Sequence, residues 1–157
     1  MNPDILAYAL LGGLAIALLI TVYTDIRYRL IFNKITITIA LAAPLYWYAS
    51  GNWSWPAIGI HLLTGLVTFA VFLIFFRIGM MGGGDVKLLA ALALWFSWID
   101  TMNMLIYMAI LGGLVTIIFM VIHKVKQQHG PIKVPYGVAI ALAGLWITGE
   151  RFFNHYA

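Results

Sequence analysis

The sequence predicts an all-α, polytopic membrane protein with six transmembrane helices, and two observations carry that prediction. The first is composition, because 64% of the 157 residues are hydrophobic, only 9% are charged, and the mean hydropathy is +0.99. Soluble domains are about 45–50% apolar and about 25% charged. The second is the division of the chain into six apolar stretches, which run approximately Ile5–Tyr23, Ile35–Ala49, Pro56–Ile78, Val86–Ile99, Met102–His123 and Val134–Phe153.

The six stretches differ in length. A membrane-spanning helix needs about 20 residues, which the first, third and fifth stretches supply, whereas the second and fourth need flanking residues to complete them. The first stretch follows "MNPD" with no basic region before it, so we expect a retained helix and not a cleaved signal peptide. No biased linker divides the sequence, and residues 1–157 are therefore predicted to form a single transmembrane domain.

The basic residues predict an orientation in the membrane. All but Arg151 fall in alternate connections, namely Arg27, Arg29 and Lys34, then Arg77 and Lys87, then Lys124, Lys126 and Lys133. The positive-inside rule makes these connections cytoplasmic and puts both termini outside. The net charge of +4 is thereby explained by topology, and we expect no nucleic-acid partner. The six tryptophans lie towards the outer end of their stretches, which predicts an aromatic belt.

The acidic residues are divided between the two sides. Asp25 and Asp85 are the two acids expected on the cytoplasmic side, while Asp4, Asp100 and Glu150 are expected outside. Asp25 follows the predicted end of helix one, and Asp85 opens helix four. Each has a structural alternative: Asp85 as a helix N-cap, and Asp25 as a solvated loop acid paired with Arg27 or Arg29.

Three glycines precede Asp85 in "GMMGGGDVKLLAAL". Asp85 to Ile99 is 15 residues, about 22 Å of helix, so the segment before it is expected to enter the membrane edge as irregular backbone. An ionisable residue there indicates function. If Asp25 meets Asp85, the two carboxylates would share a proton, as aspartic proteases require: one takes a proton from water and the other gives one to the developing oxyanion.

Three segments resemble the prepilin peptidases. "GGGD" (Gly82–Asp85) fits the GxGD signature of intramembrane aspartic proteases, and "GGGDVKLLAAL" continues as in this family. "TDIRYRLIFNKIT" resembles the family's first aspartate block, and "VPYGVAIALAG" resembles its last-helix motif. The three motifs occur in the family's order and extend over nearly the whole chain.

The resemblance implies an enzyme that cleaves the short basic leader of prepilin-like proteins, which have a hydrophobic N-terminal helix. It implies a site at the cytoplasmic face of a prokaryotic plasma membrane and no cofactor. By motif position it assigns catalysis to Asp25 and Asp85. The residues expected to support the site are Gly82, Gly84, Lys87, Asn33, Pro135 and Gly137.

Several of these supporting roles stay open. Lys87 either orients substrate or tunes the acids, or else extends its ammonium to the interface. Asn33 either hydrogen-bonds near Asp25 or begins helix two. Pro135 and Gly137 are expected to shape the backbone. With no cysteine and few carboxylates near the cytoplasmic histidines, we expect no metal site.

Two features depart from the family pattern. The first aspartate block usually contains Ile-Pro-Asn, and here Phe32 stands in place of the proline. Larger family members carry a cytoplasmic domain with paired Cys-x-x-Cys motifs and methylate the new N-terminus. Because this chain has no cysteine, we expect the short form without methyltransferase activity, like the enzymes that serve Flp/Tad-type pili.

A different class of function is also open to these residues. The same carboxylates would serve as a relay in a proton-coupled small transporter, or the chain would be a non-enzymatic pilus or secretion assembly factor. Transporter sites usually lie near the membrane midplane between inverted repeats. Both acids are expected at one interface and no inverted repeat is evident, which favours the peptidase. The sequence carries no signal for an oligomeric state.

Overall fold

A computed structural model of the chain describes residues 3–125 and 136–154, and this part contains six α-helices and no strand. The prediction of an all-α fold is confirmed. The helices are α1 (Pro3–Tyr28), α2 (Asn33–Ala49), α3 (Trp55–Arg77), α4 (Gly83–Ala93), α5 (Trp98–Val125) and α6 (Tyr136–Asn154).

Three of the described helices are long and apolar enough to cross a membrane. They are α1 over Asp4–Tyr28, α3 over Trp55–Arg77 and α5 over Trp98–Ile122. Helix α4 has only 11 residues, about 16 Å of helix and roughly half of the 30 Å hydrocarbon core. Three transmembrane helices therefore stand on length and composition, and the arrangement with six stays a prediction.

The short helix α4 lies at the centre of the bundle. It packs against α2, α3 and α6, and α6 packs in turn against α1 and α5. The core between these helices is made largely of aliphatic side chains, among them Leu14, Leu18, Leu88, Leu92 and Ile140. By contrast, most side chains of α3 and α5 point out of the bundle, as expected for helices that face lipid.

Two predicted helix ends are wrong, that of helix one, near Asp25, and that of helix four. Helix one was expected to end at Tyr23, but α1 continues to Tyr28 and holds Asp25 in its last two turns. Helix four was expected to run to Ile99, but α4 ends at Ala93 and α5 begins at Trp98. The apolar run through this break has neither glycine nor proline, so hydrophobicity alone gave no sign of it.

Side chains from other helices stabilise the break after α4. The indole of Trp47 donates to the carbonyl of Leu94 at 2.7 Å, and the guanidinium of Arg151 donates to the carbonyl of Trp95 at 3.2 Å. The Nδ1 atom of His61 lies 3.1 Å from the carbonyl oxygen of Phe96. These contacts give side-chain partners to three successive backbone carbonyl groups in the connection between α4 and α5.

The aromatic-belt prediction is wrong for two tryptophans. Trp47 and Trp95 are only 3% and 1% exposed, and the indole of Trp95 donates to the carbonyl of Ile39 at 2.8 Å. They act as hydrogen-bond donors inside the bundle. The exposed tryptophans, which remain available to a belt, are Trp53, Trp55, Trp98 and Trp146.

Candidate active site

A cavity of about 520 Å³ opens at the end of the bundle where α1 ends and where α4 and α6 begin. Asp25 and Asp85, 60 positions apart in the sequence, both line it. The glycine-rich connection between α3 and α4 forms much of its wall. The other lining residues are Arg29, Leu30, Ile31, Gly79, Met80, Met81, Gly82, Gly83, Gly84 and Tyr136.

Asp25 is held at the beginning of α6. Its side chain is buried, with 5% exposure, and its Oδ2 atom accepts a hydrogen bond from the backbone N–H of Val138 at 3.0 Å. The backbone N–H of Gly137 also interacts with this carboxylate. Unpaired N–H groups and the dipole at a helix N-terminus favour a negative charge. The alternative of Asp25 as a solvated loop acid is therefore wrong.

Asp85 occupies the third position of α4 and is half-buried. Its Oδ2 atom accepts a hydrogen bond from the backbone N–H of Gly82 at 3.2 Å. This is the half of a capping box in which the acid reaches back to the N-cap residue. The N-cap itself is Gly82, so the alternative of Asp85 as the N-cap is wrong. The carboxylate is nevertheless oriented by the helix start that the glycines form.

The two carboxylates are close enough for the charge of Asp25 to act on Asp85. Each carboxylate accepts a hydrogen bond from backbone at a helix N-terminus: Asp25, from α1, contacts the start of α6, and Asp85 contacts the start of its own helix, α4. Because a carboxylate offers about four lone-pair positions, both retain acceptor capacity for water or substrate after these backbone contacts. Like charges in one site favour a state in which the pair holds one proton. Such a pair can accept a proton and donate another in the same step.

The glycines around this cavity are required by close contacts. A Cβ atom on Gly137 would lie 2.8 Å from Oδ2 of Asp25 and 2.7 Å from Cδ1 of Ile31. One on Gly84 would lie 3.1 Å from Cβ of Ile31, and one on Gly82 would lie 2.9 Å from Oδ2 of Asp85. Ile31 thus fits between the starts of α4 and α6. These predicted supporting glycines lie beside the two acids.

Lys87 and Asn33 contact each other. The ammonium of Lys87 donates to Oδ1 of Asn33 at 2.9 Å, which joins the fifth residue of α4 to the first residue of α2. Asn33 is the first residue of α2, after the N-cap Phe32, so it does begin helix two. Pro135, the remaining predicted supporting residue, lies outside the described residues.

Sequence reasoning missed Val138 and Ile31 as contributors to the site, and it gave Arg29 only as an alternative ion-pair partner of Asp25. Val138 orients Asp25 through its backbone, which leaves no signature in side-chain chemistry. Ile31 packs between Gly84 and Gly137, and it belongs to the first aspartate block that the sequence analysis identified. Arg29 lines the cavity, acts on the charge of Asp25, and packs its guanidinium over Phe119 with 4.9 Å to the ring centre.

Arg29 also has an unusual backbone. Its φ of 55° is the left-handed conformation, which follows the end of α1, and its N–H donates to the carbonyl of Asp25 at 3.0 Å. Non-glycine residues take this conformation at a cost of the order of 1 kcal/mol, and they do so mainly where surrounding structure imposes it.

In the described residues no group of three or more histidine and acidic side chains gathers that would hold a metal ion.

A comparison with known protein families gives one match. A model of the type IV leader peptidase family matches residues 13–117, which is two thirds of the chain and includes both aspartates. The chain belongs to the type IV leader peptidase family. Membership implies a membrane-embedded peptidase, consistent with the apolar helices described above. No curated protein and no solved structure matches the chain.

Proposed function

We propose that this type IV leader peptidase is an aspartic endopeptidase in which Asp25 and Asp85 act together on one water molecule. The observation that carries the proposal is the shared cavity: two acids from distant parts of the chain line it, and each is oriented by a helix N-terminus. The family match supports peptide-bond cleavage as the reaction.

The proposed chemistry uses the pair in its singly protonated state. The ionised carboxylate takes a proton from water as the water oxygen attacks the peptide carbonyl carbon. The protonated carboxyl group gives its proton to the carbonyl oxygen as negative charge develops there. Collapse of the tetrahedral intermediate then breaks the C–N bond: the acid that took the proton from water passes it to the leaving nitrogen. The other carboxylate takes a proton from a hydroxyl of the intermediate as the new carboxyl group forms, which restores the singly protonated pair. The backbone contacts of Val138 and Gly82 hold the two acids in place throughout.

The proposed substrates are prepilin-like proteins, of the type IV or Flp kind, whose short basic leader precedes an apolar helix. We place the site at the cytoplasmic face of a prokaryotic plasma membrane, with both termini outside. Support comes from the charges: the connections α1–α2 and α3–α4, which flank the cavity, carry Arg29, Lys34 and Arg77 at or near their ends. No resident cofactor, metal or nucleic acid takes part in this scheme.

We also propose that the chain cleaves without methylating the new N-terminus. The support is the absence of cysteine, since the family's methylating members use paired Cys-x-x-Cys motifs. Mass spectrometry of product made by this chain alone should give a free amino terminus, and a methylated product would contradict the proposal. A proton-coupled transporter finds less support, because both acids line a cavity at one end of the bundle and transporter sites usually lie near the membrane midplane. A non-enzymatic assembly factor finds less support because the family match is to a peptidase.

The decisive experiment removes proton exchange from each acid while keeping its shape. Asp25→Asn and Asp85→Asn should each reduce leader cleavage by more than about a thousandfold, and the double variant should be no worse, because residues that act as a unit are non-additive. Glu150→Gln is the matched control: it removes an exposed acid at the opposite end of the bundle and should leave activity unchanged. Substantial substrate turnover by either asparagine variant, at matched protein levels in membranes, would contradict the two-aspartate mechanism.

A further inference from the structure

We infer that the groove between α2 and α3, above α4, binds the apolar helix of the substrate; this rests on the proposed function. The groove has a volume of about 380 Å³ and is separate from the cavity of the two acids. Helix α4 packs against both α2 and α3, whereas those two helices make little contact with each other. The groove therefore opens sideways, out of the bundle, towards lipid.

The lining of the groove suits another helix. Small residues contribute to it from all three helices: Ala40 of α2 and Ala90 of α4 are partly exposed, while Gly65 of α3 and Ala91 of α4 are buried at its base, where Gly65 packs against Leu94. Small residues allow helix backbones to approach closely in membranes, where packing rather than the hydrophobic effect drives association. Ile37, Leu66 and Phe69 are exposed at its sides, where they would contact the side chains of an occupant.

The groove has one polar end, and that end limits how far an apolar helix bound in the groove can extend. Lys87 lies in the groove lining, and its ammonium is bonded to Asn33. From Lys87 to Leu94 the groove follows α4 for about 10 Å of apolar surface. An apolar helix seated there would reach its polar boundary at Lys87, because an apolar side chain gains nothing beside the ammonium.

This polar end of the groove lies at the same height along the bundle as Asp25 and Asp85, the candidate catalytic dyad. Lys87 follows Asp85 by two residues on the same helix, about 3 Å along its axis. Residues two apart on a helix point to opposite sides, so the groove and the cavity lie on different sides of the start of α4. A substrate whose helix fills the groove would pass its preceding residues over Gly82–Gly84 into the cavity. The bond presented to the acids would then be the one where the polar leader meets the apolar helix.

Photo-crosslinking tests the occupant of the groove. The full chain carrying Asp85→Asn, which keeps substrate uncleaved, is co-expressed with a prepilin-like protein and bears p-benzoylphenylalanine at Ile37 or at Leu66. Both positions are exposed in the groove, and the control position, Ile110, is equally exposed on α5. We expect adducts from both groove positions to the substrate's apolar helix, and a much lower yield from Ile110. Equal yields, adducts only to lipid, or adducts to a second copy of this chain would each overturn the inference.

A kinetic test uses the active enzyme. Ala90→Phe fills the groove, and the control Ala109→Phe makes the same change on the exposed face of α5. Ala90→Phe should raise KM for the intact substrate by about tenfold with little change in kcat. It should leave cleavage of a soluble peptide that ends before the apolar helix unaffected. An unchanged KM for the intact substrate, or an equal loss on both substrates, would contradict groove binding.

These results separate the groove from the proposed function. If the wild-type chain cleaves no prepilin but groove positions crosslink an apolar helix, the groove binds and the proposed activity is wrong. If wild-type cleavage is normal and the groove positions give no more adduct than Ile110, the activity stands and the groove inference is wrong.

Discussion

The carboxylate of Asp25 is bonded to the backbone N–H of Val138 at 3.0 Å, although 113 positions separate the two residues. The bond joins the end of α1 to the beginning of α6. The orientation of Asp25 is therefore set by α6 as much as by its own helix. Small changes at the start of α6 should shift the Asp25 carboxylate relative to Asp85.

Gly137→Ala should reduce kcat by about a hundredfold, because misplacement of a reacting group by about 1 Å has effects of this size. The added Cβ atom would lie 3.0 Å from Cγ of Asp25, so either the carboxylate or α6 must shift. Gly149→Ala is the matched control on the same helix, where a Cβ atom meets nothing within 4 Å. It should keep full activity and gain up to about 1 kcal/mol in the free energy of unfolding. Steady-state cleavage assays check both, and a fully active Gly137→Ala enzyme would refute the proposed dependence of Asp25 on α6.

Lys87 and Asn33 should act as a pair in kinetics. Lys87→Met and Asn33→Leu each remove the 2.9 Å hydrogen bond between α4 and the start of α2. Each should lower kcat/KM by about three- to tenfold, which is the worth of one partly exposed hydrogen bond of roughly 1 kcal/mol. The double variant should lose no more than either single variant, as a double-mutant cycle would measure. Fully additive losses would mean that the two side chains act separately.

Trp47→Phe should destabilise the fold. It leaves the carbonyl of Leu94 without the indole donor at the end of α4, a loss of about 1–3 kcal/mol in the free energy of unfolding. Trp53→Phe makes the same change at an exposed position and should have little effect. Thermal unfolding in detergent compares the two variants. Equal Tm values would show that the Trp47 indole contributes nothing measurable to the end of α4.

The orientation in the membrane is tested by reporter fusions. Fusions after Arg29 and Arg77 should report the cytoplasm, because the basic residues are concentrated at these connections, and a fusion after Trp53 should report the outside. The opposite pattern would move the candidate dyad to the outer face and remove the basis for leader cleavage in the cytoplasm.

Much of the site was predictable from the positions of charged residues and glycines. A chain this apolar has few acidic residues, so Asp25 and Asp85, which lie beside the basic connections, are conspicuous. The glycines before Asp85 indicate that another part of the chain approaches the backbone closely there. The structure brings both acids into one cavity. The contact of Asp25 with Val138 was not predictable, because any residue supplies a backbone N–H and only the tertiary fold selects which one.

The length of α4 was not predictable for a related reason. Leu94, Trp95 and Phe96 continue the apolar pattern of the helix, so hydropathy extends it to Ile99. After Ala93 the carbonyl groups of the connection contact side chains from distant helices, namely Trp47, His61 and Arg151, and hydropathy gives no sign of such partners. Trp95 lies in this connection and is buried, although its position towards the outer end of an apolar stretch had assigned it to the interface.

The partners at the end of α4 also imply an order of biogenesis. Trp47 and His61 are synthesised before α4, but Arg151 follows it by more than fifty residues, as does Val138 by more than forty. Eleven residues are too few for α4 to cross a bilayer alone, so its place in the membrane depends on the helices packed around it. A ribosome-bound chain that has released only α1 to α5 carries both aspartates without the group that orients Asp25. In the proposed mechanism, the oriented pair of acids therefore forms only once α6 has been synthesised.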